Sequence, residues 1–238
     1  MRDVVNVDKQ DDGAAYRVFH SDILAQIYQT GLEINEMQSL FVYLFVLGDL
    51  FDSYLNRNIS HKKRIIMAMR GYFFLNMWIE YIESSSKLYN SMFSIAKNFI
   101  SSQSFKIFAN LAKSLILLII SHREFYSSYP LYPWEHGTEA IEHVFRISRQ
   151  ITNDFSFYEF FKIQQRVAYR DKIIRQNMQI QKEKTSASGY IFDFDLNFKS
   201  NENIDILRTW PNDNAIHDAI KIAYEDAAKF IKVLGIKL

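Results

Sequence analysis

Residues 213–235, which read DNAIHDAIKIAYEDAAKFIKVLG, decide the fold class of this 238-residue chain. Apolar side chains recur in this segment every three or four residues, which is the spacing of one face of an α-helix. The apolar stripe consists of Ile216, Ala219, Ile220, Ala223, Ala227, Phe230, Ile231 and Leu234. Asp213 is the predicted N-terminal cap, and Gly235 is predicted to end the helix. The segment therefore predicts a long helix with one buried face.

The same spacing, with capping residues before it, predicts six further helices. They cover residues 21–31, 35–55, 62–88, 104–126, 138–152 and 156–184. The chain has only 7 glycines and 3 prolines, too few for a protein built from many tight turns. We expect a mainly α fold of about seven helices in one irregular helical domain.

The remaining segments complete the predicted organisation. Residues 190–196 alternate apolar and polar side chains, so the fold is expected to contain at most one short strand or hairpin. Residues 1–18 are predicted to form a flexible tail, and residues 19–238 a single helical domain. A polar stretch makes residues 185–212 a candidate sub-boundary within that domain.

Composition excludes several classes of protein. The chain has no cysteine, which excludes disulfides, zinc–thiolate sites and cysteine nucleophiles. Its formal net charge of +1 gives no overall attraction to nucleic acid or to a membrane. The apolar runs 40–47 and 115–120 are shorter than the roughly 20 residues of a membrane span, so we predict buried core helices there. We expect an intracellular, soluble protein with no membrane partner, in nucleus or cytoplasm.

The fifth predicted helix carries the first candidate site. Glu139 and Glu142 are three residues apart, so both carboxylates can point in one direction beside His143. Such a group could bind a divalent cation or act in general acid–base catalysis. The alternative is an ordinary solvated face, with Glu139 paired to His143 and Glu142 to Arg146. The predicted buried stripe of this helix is Ile141, Val144, Phe145, Ser148 and Ile151.

Two other acidic groups resemble metal sites less closely. Asp49 and Asp52, with His61 beyond them, form an oxygen-rich group on the second predicted helix. Asp193 and Asp195 lie on the predicted strand, as nuclease aspartates do. Solvent-facing aspartates explain the first group, and the wet face of an edge strand explains the second. We favour these simpler interpretations.

One stretch is strongly basic. Residues 160–184 contain seven basic and two acidic residues. Arg166 and Arg170 are one turn apart and can reach adjacent phosphates, and Lys172 and Arg175 extend the group. These four residues are the candidate nucleic-acid contact. The alternative is a solvated helix whose far side packs on the core through Phe157, Phe160, Phe161 and Val167.

Residues 130–145, PLYPWEHGTEAIEHVF, carry a resemblance to a known group of proteins. The segment resembles a P-L-x-P-W-x-H-x-T-E-x-x-E-H-x-F block in large uncharacterised fungal proteins. Further similar stretches occur from roughly residue 20 to residue 236, so the resemblance spans most of the chain. It implies membership of the group and no particular activity.

A second similarity concerns transposases of the hAT and P-element kind. Residues 142–145, EHVF, resemble the final acid of their RNase H-like core, and residues 20–128 resemble the helical insertion that precedes it. The resemblance implies that Glu142 is a relic of the third metal-binding carboxylate. Nothing before residue 20 is expected to supply the strands with the other two aspartates, and two-metal chemistry needs several converging carboxylates.

These observations predict a transposase-derived helical protein, or a fragment of one, without independent catalysis. It would retain weak DNA contact or self-association. The alternative function is a helical protein-interaction scaffold with no nucleic-acid role, and an enzyme working through Glu139, Glu142 and His143 ranks third. No cofactor is expected, except a divalent metal if the transposase relationship is real, and no small-molecule substrate is evident.

Overall fold

The computed structural model describes residues 17–19, 23–25, 27, 34–89, 92–176 and 201–236. Within these ranges the chain is helical and contains no strand, which confirms the prediction of a mainly α fold. The α-helices whose first and last residues are defined are α1 Ile34–Leu55, α2 His61–Leu88, α3 Ile95–Asn98, α4 Ser102–Phe125, α5 Glu139–Ile151, α6 Phe157–Gln176, α7 Asn201–Arg208 and α8 Asp213–Val233.

The short helices α3 and α7 raise the number above the predicted seven. A 3₁₀ helix covers Pro133–Glu135, and residues 17–19 and 23–25 are also helical. The tail was predicted over residues 1–18, of which residues 1–16 lie outside the described part of the chain and residues 17 and 18 are helical. The predicted strand at 190–196 also lies outside the described residues.

Backbone contacts divide the chain into two compact units. The first unit contains Met1–Pro133 and Phe192–Leu238, and the second contains Trp134–Ile191. Two buried clusters lie in the first unit and one in the second.

Helix α2 is the centre of the first unit and packs against α1, α4 and α8. Ser60 caps α2 as predicted, because its side chain accepts a hydrogen bond from the backbone N–H of Lys63. The stripe of α8 faces this core, and its alanines at positions 219, 223 and 227 are fully buried. Small side chains there allow α8 to approach α2 closely.

Both ends of α8 have defined caps. Asn212, and not the predicted Asp213, is the N-cap, since its side-chain oxygen accepts from the backbone N–H of Ala215 at 2.8 Å. Asp213 instead lies in the first turn, where a carboxylate is favoured by the helix dipole. Gly235 ends the helix as predicted, with a positive φ of 73° that suits glycine.

Helix α4 corrects one expectation about the apolar run 115–120. By length and composition, α4 is the one described helix that could cross a membrane, with a mean hydropathy of 1.6 in its apolar window. Leu115 and Ile119 are buried in the core of the first unit, but Leu117 is 66% exposed. Residues 115–120 are therefore buried on one face of α4 and exposed on the other. A single helix of this kind is weak evidence for a membrane, so the expected lack of a membrane partner stays a prediction.

In the described part of the second unit, helices α5 and α6 pack on each other. Its buried cluster consists of Ile147, Ile163 and Val167, with Val144 and Ile151 partly buried against them. The predicted α5 stripe is right for Val144, Ser148 and Ile151. It is wrong for Ile141 and Phe145, which are 58% and 38% exposed, and it omits the buried Ile147.

Candidate functional site

The structure places the predicted acidic group at the start of α5. Glu142 is exposed, and its carboxylate accepts a hydrogen bond from the Thr138 hydroxyl at 2.8 Å. The side chain of Glu139 lies outside the described part of the molecule. Among the described residues, no three His, Asp or Glu side chains gather to hold a metal ion. The metal group of Glu139, Glu142 and His143 therefore stays a prediction.

His143 has partners that the sequence did not reveal. Its Nε2 lies 3.1 Å from Asp171 Oδ1 on α6, and its Nδ1 lies 2.7 Å from Nη2 of Arg146. Arginine can only donate, so Nδ1 accepts from Arg146, and the ring proton is assigned to Nε2, which lies beside the Asp171 carboxylate. Asp171 is 28 positions away in the sequence, and only the packing of α5 on α6 brings it close.

This arrangement decides what His143 can do chemically. A carboxylate that orients a histidine is one half of a general-base arrangement. The other ring nitrogen must then face a substrate proton, but here it accepts from Arg146. The geometry thus favours a polar connection between α5 and α6 over base catalysis.

The four predicted nucleic-acid contacts all belong to α6. Arg166, Arg170 and Lys172 are exposed, and the side chain of Arg175 lies outside the described residues. Arg166 and Arg170 lie within about 40° of each other around the helix axis, as the prediction requires. Lys172, however, lies about 120° from Arg166, so the predicted group does not share one face.

A different row of residues forms the solvent face of α6. We call this row the outer stripe; its members are Tyr158, Phe161, Lys162, Gln165, Tyr169 and Lys172, and all are exposed. Their spacing of three and four residues places them opposite the buried Ile163 and Val167. Within the stripe, the Lys162 ammonium lies 4.3 Å from the centre of the Tyr158 ring, a cation–π contact.

The exposure of two phenylalanines corrects the sequence-based interpretation of α6. The alternative interpretation placed Phe157 and Phe161 on the side of α6 that packs on the core, but they are 85% and 72% exposed. The buried face of α6 is instead set by Ile163 and Val167. Phe161 lies two residues before Ile163, about 200° away around the axis, so it must face solvent.

Helix α6 is positively charged, although the whole chain is nearly neutral. It contains five basic and two acidic residues, a formal charge of +3, against +1 for the whole chain. One of the two acids, Asp171, faces His143. The other, Glu159, accepts hydrogen bonds from the backbone and hydroxyl of Ser156 at the start of the helix. Both carboxylates lie off the outer stripe.

The second acidic group of the sequence does not assemble as a site. Asp49 is paired with Arg70, and His61 Nε2 lies 2.9 Å from the carbonyl oxygen of Leu207. Burial raises the pKa of Asp49, and the Arg70 guanidinium opposes that rise. Burial lowers the pKa of His61 to about 4, so the ring is neutral at physiological pH. Asp193 and Asp195 lie outside the described residues.

Comparison with known proteins adds no functional residue to this geometry. No protein-family model, no curated protein and no solved structure matches the chain. The resemblances to fungal proteins and to transposases stay predictions.

Proposed function

We propose that this chain is a transposase-derived helical protein, or a fragment of one, that lacks independent catalysis and retains weak nucleic-acid contact through α6. The observation that carries the proposal is the exposure of Arg166, Arg170 and Lys172 on a helix with a formal charge of +3. Exposed cations on one helix match the regular negative charge of a phosphate backbone.

The charge distribution also sets the expected strength of binding. Neutralising phosphates releases counterions, so affinity depends on how many cations reach the backbone and falls with salt. Arg166 and Arg170 supply two neighbouring contacts, and the chain outside α6 has a formal net charge of −2, the difference between +1 for the whole chain and +3 for α6. We expect non-specific binding with a Kd on the order of 10⁻⁴–10⁻⁶ M.

The contacts of α5 support the non-catalytic part of the proposal. Glu142 accepts from Thr138, and His143 lies between Asp171 and Arg146. Two-metal cleavage of a phosphodiester needs carboxylates that converge on the ions. The partners of Glu142 and His143 favour a role in holding the second unit together.

A salt titration of binding to duplex DNA tests the proposal. The variant Arg166→Glu/Arg170→Glu should lose binding at low salt, while its thermal unfolding should change little because exposed charges contribute little to stability. The matched control is Lys221→Glu/Lys232→Glu on α8, which changes the net charge equally at two exposed positions. The control should bind almost as wild type does. Equal affinities in both variants, or no binding by wild type, would contradict the proposal.

The second candidate function is a helical protein-interaction scaffold with no nucleic-acid role, and a second copy of the chain is the partner that is simplest to test. It is favoured by large exposed apolar side chains in the second unit, among them Ile141, Phe157 and Phe161. Sedimentation of the chain over a concentration series separates the two functions. A dimer that Phe157→Ser/Phe161→Ser dissociates, in a protein that does not bind DNA, would favour the scaffold.

A further inference from the structure

The outer stripe of α6 indicates which form of nucleic acid the chain binds. We infer that Tyr158, Phe161, Lys162, Tyr169 and Lys172 form a binding surface for single-stranded nucleic acid. This inference rests on the proposed function and narrows its ligand. It uses aromatic side chains that the basic pattern in the sequence did not include.

The rings of the stripe are placed to stack on bases. Tyr158, Phe161 and Tyr169 are 63%, 72% and 69% exposed, so most of each side chain is open to solvent. The Lys162 ammonium lies over one face of the Tyr158 ring and leaves the other face for a base. From Tyr158 to Lys172 the stripe covers about 21 Å of helix, at 1.5 Å per residue. In a duplex the base faces are already stacked on each other, whereas a single strand leaves them free to stack on protein rings. The stripe therefore fits unpaired bases better than a duplex.

The charges of the stripe fit the backbone of the same strand. Lys162 and Lys172 lie among the rings, and no acidic residue belongs to the stripe. Arg166 and Arg170 follow on the adjacent flank of α6 and can contact further phosphates. Alternating rings and cations along one line are the arrangement in which a strand stacks its bases and pairs its phosphates.

A second copy of the chain is a poorer occupant of this surface. A protein–protein interface would bury Lys162 and Lys172 in its centre, where lysine is depleted because its ammonium loses water. No carboxylate of the outer stripe is available to pair with those lysines in a symmetric contact. Nucleic acid brings its own negative charge and leaves the ammonium groups partly hydrated.

The experiment measures fluorescence anisotropy of labelled nucleic acids with the full chain at low salt. The probes are single-stranded oligothymidylate and oligouridylate of about 20 nucleotides and a duplex of equal length, all longer than a typical single-strand site. The variant Tyr158→Leu/Tyr169→Leu keeps apolar bulk and removes both rings. The control Tyr89→Leu/Tyr129→Leu removes two exposed tyrosines from the first unit. Matching thermal melts ensure that all proteins are folded.

We expect wild type to bind both single strands more tightly than the duplex. The Tyr158→Leu/Tyr169→Leu variant should lose about tenfold or more of its single-strand affinity, since each stacked base contributes to binding through its ring. Its weaker duplex binding should not change, and the control should bind as wild type does. Oligothymidylate and oligouridylate should behave alike, because stacking and phosphate attraction do not depend on the sugar hydroxyl.

Three results would overturn the inference. In the first, the duplex binds as tightly as the single strands, and loss of the two rings changes neither affinity. This result would contradict a role of the outer stripe in binding but would agree with the proposed function. In the second, no probe binds, which would contradict both the inference about the outer stripe and the proposed function. A dimer that the Tyr158→Leu/Tyr169→Leu variant dissociates would show that a second copy occupies the stripe instead.

Discussion

Arg70 on α2 donates a hydrogen bond from Nη2 to Asp226 Oδ2 on α8 at 3.0 Å. Its Nη1 pairs with Asp49 on α1, so one guanidinium connects the three helices. The Arg70 side chain is only 9% exposed. Burial raises the pKa of Asp226, but hydrogen bonds from Lys229 and Arg70 more than offset that effect and lower it overall. Asp226 is thus held ionised by its two partners.

Replacement of Arg70 should destabilise the first unit strongly. Arg70→Met would leave the carboxylate of Asp49 buried without its partner, and the loss of one member of a buried pair costs about 3–5 kcal/mol. Urea unfolding at neutral pH measures the effect. The control is Lys229→Met, since Lys229 also pairs with Asp226 but is 72% exposed, and it should cost less than about 1 kcal/mol. Equal losses in the two variants would mean that the Arg70 pairs contribute no more than a surface ion pair.

His61 should make the stability of the chain depend on pH. Its ring is buried, stacks on Trp210 with centres 4.9 Å apart, and has a pKa of about 4 against 6.5 in the unfolded chain. Between these values the unfolded state binds the extra proton, so stability is full above pH 6.5 and falls as pH decreases towards 4. The shift corresponds to a loss on the order of 3 kcal/mol.

Substitution with glutamine isolates this effect. His61→Gln keeps a donor for the Leu207 carbonyl and cannot titrate, so its stability should vary less with pH between 6.5 and about 4. His217→Gln, at an exposed histidine on α8, is the control for the substitution itself. Denaturant unfolding at several pH values gives both curves. If the stability of wild type and of His61→Gln varied with pH in the same way, His61 would not be the source of the pH dependence.

Two glycines in helices should respond oppositely to alanine. A Cβ at Gly48 would lie 2.6 Å from the carbonyl oxygen of Phe19, so Gly48→Ala should destabilise by roughly 1–3 kcal/mol through overpacking. At Gly71 the nearest atoms are 3.6 Å away, an ordinary contact. Gly71→Ala should therefore stabilise α2 by roughly 0.5–1 kcal/mol. Thermal melts test the pair, and stabilisation by Gly48→Ala would mean that Phe19 does not lie against α1.

The purified chain should show no nuclease or strand-transfer activity with magnesium or manganese. Two-metal chemistry needs several carboxylates that converge on the ions, whereas the Glu142 carboxylate accepts a hydrogen bond from the Thr138 hydroxyl. Incubation with supercoiled plasmid, with and without chelator, is a sensitive assay because one nick changes its mobility. Metal-dependent cleavage that disappears in Glu142→Ala would show that Glu142 is a working catalytic residue.

The sequence predicted long helices well and short ones poorly. Periodicity over several turns located α2 and α8, and the caps at Ser60 and Gly235 located the start of α2 and the end of α8. Helix α7 has only 8 residues, too few to show a period. It depends on tertiary contacts of Leu207, whose carbonyl oxygen accepts from the Leu131 N–H and pairs with His61.

The sequence indicated the positive charge of α6 but not which of its aromatic side chains are exposed. The basic character of α6 is a local property and is visible in the sequence. Which of its rings face solvent depends on packing, because Ile163 and Val167 occupy the face towards α5 and leave Phe161 outside. The partners of His143 and Arg70 come from distant positions, so no local pattern could identify them.

The most direct test of nucleic-acid contact through α6 is a chemical-shift map. A ¹⁵N-labelled chain is titrated with a short oligothymidylate at low salt, and the amide shifts are followed by NMR. We predict saturable shifts at Tyr158, Phe161, Lys162, Tyr169 and Lys172 that disappear on addition of salt, with α8 unaffected. Shifts confined to the first unit, or no shifts at millimolar oligonucleotide, would contradict the account.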